Sequence, residues 1–336
     1  MSGKILILNT GGTLSSVVKE HGLAPGLAAE QMGRELHMVS GDAELSMEDF
    51  SALDSAHIFP EEWAALAERV AQVRKSFDGV VIIHGTDTMA YTSSMLSFML
   101  QNIGIPVVLT GSQLSMADPI ADAMENCRCA IRMASSGVPG VFVAFDRKVI
   151  LGCRASKSRT VSFDAFESVN YPNVARISSL GMSIDRAALP PKSGIFQLRN
   201  RWSGEIALAR LYPGLKPEAL ERIAGEECKA LYIEAFGMGG IPFLRNDLCA
   251  VVQKLTDRGM AVLVGTQCRY EGSDLSVYET GRRALDAGAL QAYDMSGEAA
   301  VTKLMWVLGQ TADPAEIREY FSLNLCGEVT PHRKKE

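Results

Sequence analysis

Seven short apolar runs constrain what this chain can fold into: Ile5 to Leu8, Val80 to Ile83, Val107 to Leu109, Val141 to Phe145, Ile206 to Leu211, Ala230 to Ile233 and Ala261 to Val264. They run without regular polar alternation, which is how strands read when helices cover both faces of a parallel sheet. Helix-period stretches lie between several of them, at Glu61 to Arg74, Thr92 to Gln101, Ala117 to Ala134 and Asp247 to Asp257. The pattern predicts an α/β architecture. Asp146-Arg147, set between Val141–Phe145 and Val149–Leu151, predicts an antiparallel hairpin that carries Arg154 to Phe166 back toward the sheet. The segment Leu189-Pro190-Pro191-Lys192-Ser193-Gly194 breaks regular structure, and the alternation then restarts. We therefore expect a larger N-terminal domain (1–189) with a mostly parallel sheet flanked by helices, a linker (190–205) and a smaller C-terminal α/β domain (206–336).

The 336 residues suffice for two domains, and 47% apolar with 21% charged residues is ordinary for a soluble globular enzyme. A net charge of −6 argues against a protein built to neutralise phosphate backbones, so no nucleic-acid partner is expected. The basic tail His332-Arg333-Lys334-Lys335 follows Pro331 and reads as a solvated end. No run approaches the roughly 20 apolar residues of a membrane span, and the first residues do not read as a secretory signal. Seven scattered cysteines, an odd number, fit a reducing compartment, and a cytoplasmic protein is expected.

Two of the apolar runs end in threonine-bearing turns, Thr10-Gly11-Gly12-Thr13 and His84-Gly85-Thr86-Asp87-Thr88. The carboxyl ends of parallel strands are where ligands bind in such folds. Glycines let backbone approach a ligand closely and leave amides free to donate. A threonine hydroxyl attacks as a nucleophile once a base takes its proton. Asp87 can meet an ammonium group, and Thr88 stands where a cap is needed for the helix beginning near Met89. The first turn lacks the third glycine of a dinucleotide fingerprint and the Gly-Lys-Ser/Thr of a phosphate loop. A base candidate is Lys157 in Arg154-Ala-Ser-Lys157-Ser-Arg159-Thr160. A lysine serves as base only where its surroundings favour the neutral amine, and a solvent-facing lysine in a basic loop is the competing reading.

Taken in order, these residues carry a resemblance. Thr-Gly-Gly-Thr, Asp54-Ser55, His-Gly-Thr-Asp-Thr-Met, Arg-x-x-Lys-x-x-Thr and Asp164-Ala165-Phe166 closely resemble the L-asparaginase family, in particular its bacterial cytoplasmic type I members. The resemblance continues through Thr110-Gly111-Ser112-Gln113, Phe236-Gly237, Thr266-Gln267-Cys268, Tyr278-x-x-Gly281 and Glu298-Ala-Ala-x-Thr302-Lys-Leu-Met305, so it spans almost the whole chain. It implies hydrolysis of L-asparagine, with L-glutamine as a further candidate, to an acid and ammonia without metal or organic cofactor. It makes Thr10 the nucleophile, and Thr86, Asp87 and Lys157 a second catalytic set. It puts Gly11, Asp54, Ser55, Gly85, Thr86, Asp87 and Ser112 around the substrate, with Ser55 on the α-carboxylate and Asp87 on the α-ammonium. It also implies a homodimer or homotetramer with sites between subunits.

Two departures from the family pattern stand out, one a single residue and one a dipeptide. Leu23 stands where many members place a tyrosine partner of the nucleophile, and Ala56-His57 follows Ser55 where relatives often carry polar or acidic residues. Two other functions share much of the pattern. One is an ammonia-supplying subunit of a tRNA-dependent amidotransferase, which carries a further domain ahead of the first threonine turn; with that turn at residue 10, no such domain is expected here. The other is a non-catalytic sensor of amino-acid amides. Cys127 and Cys129 are expected to point apart on a helix rather than bind metal, His84 to support its turn, and Met295 and Met305 to sit in the core.

Overall fold

The computed structural model describes residues 3–19, 22–25, 29–189 and 194–330, with side chains throughout except at 15–31. The Pro190-Pro191 break and the basic tail after Pro331 lie outside the described residues. The chain divides into two compact units, Met1–Asn200 and Arg201–Glu336.

The first unit opens with β1 (Lys4–Gly11), a hairpin of β2 (Ser16–Lys19) and β3 (Gly22–Pro25), α1 (Ala29–His37) and β4 (Glu44–Leu53). It continues with α2 (Pro60–Val73), β5 (Gly79–Ile83), α3 (Met89–Met99), β6 (Pro106–Thr110), α4 (Ala123–Ala134) and β7 (Gly140–Phe145). Then follow β8 (Lys148–Leu151), β9 (Ala155–Lys157), β10 (Phe166–Ser168), β11 (Ala175–Ser178) and β12 (Gly181–Ile184). One eight-stranded sheet runs β12-β11-β8-β7-β6-β5-β1-β4. The five strands from β4 to β7 are parallel, and β8, β11 and β12 extend them antiparallel. The central strands β5 and β6 are buried along their whole length, as continuous Val, Ile and Leu require.

The expected hairpin joins β7 to β8, with Asp146 and Arg147 both at positive φ (46° and 60°), the backbone of a primed two-residue turn. Two expectations shift. The helix expected from Ala117 begins at Ala123, because Pro119 cannot continue a helical hydrogen-bond ladder and the Asp122 carboxylate is turned onto the amides of Gln113 and Leu114. β4 was not among the apolar runs: it is an edge strand with every residue exposed or half-buried, and its Glu48 pairs with Arg69 of α2 at 2.6 Å.

α2 starts at Pro60 with Glu61 and Glu62 in its first turn, and Glu62 accepts the Phe59 N–H at 2.8 Å. It buries Trp63, Leu66, Ala67, Val70 and Val73, one stripe at helical spacing. α3 has no charged residue and is buried nearly all round. Its Ser93 hydroxyl donates to Gly152 O at 2.8 Å, and a Cβ on Gly152 would lie 2.7 Å from Ser97 Oγ. This close approach seats the segment leading into β9 on α3.

The second unit contains β13 (Ile206–Arg210), α5 (Pro217–Ala224), β14 (Ala230–Ala235), α6 (Leu248–Asp257), β15 (Ala261–Thr266), α7 (Glu279–Asp286), β16 (Leu290–Gln291), α8 (Gly297–Gln310) and α9 (Pro314–Ser322). Its four strands are all parallel in the order β13-β14-β15-β16, around a core that includes Leu220, Leu231, Ile233, Val252, Val262 and Val264. Met295 and Met305 are buried. Among the described residues, no helix is long and apolar enough to cross a membrane.

Candidate active site

The carboxyl ends of β1, β4, β5 and β6 come together at one edge of the sheet, and three glycines make that possible. Gly11 and Gly12 leave β1 with φ of 105° and 84°, the region open to glycine. A Cβ on Gly11 would lie 2.4 Å from Leu53 O, one on Gly12 2.5 Å from Gly85 Cα, and one on Gly85 2.6 Å from Ser55 Oγ. The β1 end therefore touches the β4 and β5 ends backbone to backbone, Gly85 lies against the Ser55 side chain, and the two threonine turns become neighbours. The Thr10 hydroxyl, 1% exposed, donates to Ile83 O at 2.8 Å and ties the β1 tip to the β5 tip.

Lys157 arrives at the end of β9. Its Nζ donates to Thr86 Oγ1 at 2.8 Å and to Asp87 Oδ1 at 2.6 Å. Its side chain is 16% exposed, so it is a covered strand-end amine rather than a solvent-facing loop lysine. β10 pairs with β9 and opposes Phe166 to Lys157, while Arg159 is engaged by Glu167 at 2.6 Å and by Asp164. Thr86 is buried and Asp87 faces solvent, so the set presents a shielded hydroxyl beside an open carboxylate.

His84 anchors the second turn from below. Gly85 O only accepts, so Nδ1 carries the proton in the 2.7 Å contact between them. Trp63 Nε1 only donates, and it donates to Thr92 Oγ1 at 2.8 Å, which leaves the Thr92 proton for His84 Nε2 at 2.9 Å. The chain Trp63, Thr92, His84, Gly85 is thereby complete with a neutral ring. Burial pushes the imidazole pKa down to about 4, against a smaller upward pull from Gly85 O.

The remaining candidates are placed less directly. Ser55, buried, lies against Gly85, whereas the Asp54 carboxylate caps the short turn 55–57 by accepting Ala56 N–H at 2.8 Å. Ser112 is buried and donates to Leu114 O, and no described contact joins it to Thr86 or Lys157. Thr88 occupies the cap position of α3, but its hydroxyl donates to Ser55 O at 2.8 Å instead of capping, a correction that makes it a tie between β4 and β5 ends. Gln113 stood in the Thr110-Gly111-Ser112-Gln113 motif but was given no role at the site. Its Oε1 is 3.4 Å from Thr86 Oγ1, and its Nε2 donates to Thr160 O and Ser162 O, both at 3.1 Å. The available signal was a polar residue three positions past the end of β6 at Thr110.

Comparison with known proteins bears on the whole chain. The family described as Asparaginase, N-terminal matches residues 4–189, and that described as Glutaminase/Asparaginase C-terminal domain matches 205–321. The chain belongs to the asparaginase family. The protein named L-asparaginase from Thermococcus kodakarensis is 42% identical over 332 residues, 97% of this chain and 99% of that protein. The solved structure of the thermostable L-asparaginase from Thermococcus kodakarensis superposes with a TM-score of 0.91 at 40% identity, covering 98% of this chain and 100% of the other. L-asparaginase I from Vibrio cholerae superposes with a TM-score of 0.90 at 29% identity over 98% and 100% of the two chains. A subunit of the glutamyl-tRNA(Gln) amidotransferase of Pyrococcus abyssi is 34% identical, over 98% of this chain and 78% of that protein.

Within this asparaginase-family chain, Leu23 lies in β3 with its backbone paired to Val18, and its side chain lies outside the described residues. Cys127 and Cys129 are both buried on α4, and burial raises their thiols to about 12 and about 11, which keeps them protonated. Among the described residues, no group of three His, Cys, Asp or Glu side chains is placed to hold a metal ion.

Proposed function

We propose that this chain hydrolyses L-asparagine to L-aspartate and ammonia through an acyl-threonine. The contact of Lys157 Nζ with both Thr86 Oγ1 and Asp87 Oδ1 carries this reading, because it unites a base, a hydroxyl and a carboxylate beside a second threonine. Thr10 attacks the side-chain amide carbon, its proton passes by way of Thr86 to the Lys157 amine, and that proton is handed on to the amide nitrogen as its bond to the carbonyl carbon breaks, so that it leaves as ammonia. Water then attacks the ester and returns Thr10. The oxyanion meets backbone amides of the glycine turns, an effect worth a few kcal/mol in such sites. Ser55 takes the α-carboxylate and Asp87 the α-ammonium, with Gly11, Asp54, Gly85 and Ser112 shaping the rest of the pocket. In the free protein Ile83 O holds the Thr10 proton, so attack begins with rotation of that hydroxyl.

The finer assignment is a type I enzyme of the cytoplasm working as a homodimer or homotetramer. The motif order and the likeness to L-asparaginase I of Vibrio cholerae support it. The amidotransferase reading is the weaker one, because the amidotransferase relative of Pyrococcus abyssi is less similar than the L-asparaginase of Thermococcus kodakarensis. Purified protein supplied with L-asparagine alone, without partner subunit or tRNA, should release ammonia between about pH 6 and 9. Tight binding of asparagine with no ammonia released would instead make the protein a sensor.

A further inference from the structure

The ladder between β1 and β4 breaks at Thr10. Asn9 pairs with Asp49 and Gly11 with Leu53, so Thr10 alone opposes Phe50, Ser51 and Ala52. Such irregularities re-aim side chains beside active sites, and the peptide groups they strip of ladder partners need substitutes. Side chains supply them here. Asn9 Oδ1 accepts the Gly11 N–H at 3.1 Å, and Ser51 Oγ donates to Thr10 O at 3.0 Å. The other end of the Asn9 amide, Nδ2, donates to Asp49 Oδ1 at 2.8 Å. Asn9 is 4% exposed and faces an N–H on one side and a carboxylate on the other, so the orientation of its amide is settled by its partners.

We infer that Asn9 and Asp49, with Ser51, form a positioning unit that sets where the Thr10 hydroxyl stands. The peptide before Thr10 belongs to the ladder, the peptide after it hangs on Asn9, and its carbonyl hangs on Ser51. Rotation of either peptide would swing the hydroxyl away from the β5 tip, where it now meets Ile83 O. None of these three side chains need touch the substrate, so their loss should fall on turnover rather than on binding. The inference rests on the reading of Thr10 as nucleophile.

The test is steady-state ammonia release from L-asparagine, read as kcat and KM separately, with thermal unfolding of each variant. Asn9→Ala should lower kcat by about 10- to 100-fold with KM within about threefold of wild type, the scale of a misplaced reacting group. Asn9→Asp keeps the acceptor for Gly11 but sets a second carboxylate against Asp49, and should lose as much. The double variant Asn9→Asp/Asp49→Asn reverses donor and acceptor and should recover kcat to within about threefold of wild type. A structural role alone would move the unfolding temperature without this split and this rescue. If Asn9→Ala does not fold, the double variant and Ser51→Ala carry the test. Wild-type kcat in Asn9→Asp, or no recovery in the double variant, would overturn the inference. Thr10→Val separates the two readings: if it stays active, the assignment of Thr10 falls; if it is inactive while Asn9→Asp is normal, only the positioning unit falls.

Discussion

Gly12 and Gly85 meet backbone to backbone: a Cβ on Gly12 would lie 2.5 Å from both the Cα and the N of Gly85. This contact, rather than any side-chain pair, makes one site of two strand tips. Gly12→Ala therefore combines a positive-φ penalty with a clash against backbone that has no room to shift. We expect it to destabilise the protein by about 2–4 kcal/mol and to cut ammonia release by about 100-fold. Gly41→Ala is the control. It too sits at positive φ (61°), but no heavy atom lies within 4 Å of the added Cβ. It should cost about 1–2 kcal/mol and leave the rate alone. Equal rates in the two variants would separate the glycine contact from activity.

Lys157→Met and Thr86→Val remove opposite ends of the 2.8 Å contact. Each should lower kcat by about 10²- to 10⁴-fold, the usual span for losing an acid–base group. Asp87 is two-thirds exposed, so Lys157→Met leaves no buried charge behind, and its unfolding midpoint should stay near wild type. A near-normal rate in either variant would show that the proton takes another path.

His84 makes the fold sensitive to acid. Its pKa is depressed to about 4 by burial, from 6.5 in the unfolded chain. Between those values the unfolded chain binds a proton that the folded one refuses, so stability falls as pH drops. Its contribution is complete above about 6.5 and is lost progressively toward 4. Urea midpoints of the wild type should decline through that window, and those of His84→Gln should decline less. Parallel curves for the two proteins would refute this assignment.

In the second unit, Lys303 and Glu328 are both fully buried, 2.6 Å apart. Burial alone would raise the Glu328 carboxyl, but the charge and hydrogen bond of Lys303 and the amides of Cys326 and Leu325 carry it below the ordinary value. Lys303→Met leaves that carboxylate without its cation and should destabilise the protein by about 3–5 kcal/mol. The pair's contribution is present above the ordinary glutamate range and is lost as pH falls below it. An unchanged urea midpoint in Lys303→Met at neutral pH would contradict this.

Much of the sheet was legible because a strand covered on both faces has little choice but Val, Ile and Leu. β4 was not, since an edge strand tolerates Glu48 and Asp49, and these interrupt any apolar run. The glycines of both turns announced close approach, but not what they approach: Gly12 meets Gly85 across 73 positions of sequence, a distance no local pattern encodes. Lys157 and Thr86 were found through motif order, and their contact is made by the seating of Gly152 against Ser93 on α3. Gln113 and Asn9 were given no role because a polar residue at or just past a strand tip looks like any other until its partners are known. Thr88 misled for the same reason, since its hydroxyl had a choice between its own helix and Ser55 O.

The most direct test of the acyl-threonine mechanism is to quench the enzyme with acid during turnover of L-asparagine and map the modified peptide by mass. We predict an aspartyl ester on Thr10, with Thr86 unmodified. The same ester on Thr86, whose hydroxyl is the one beside the Lys157 amine, would contradict the mechanism.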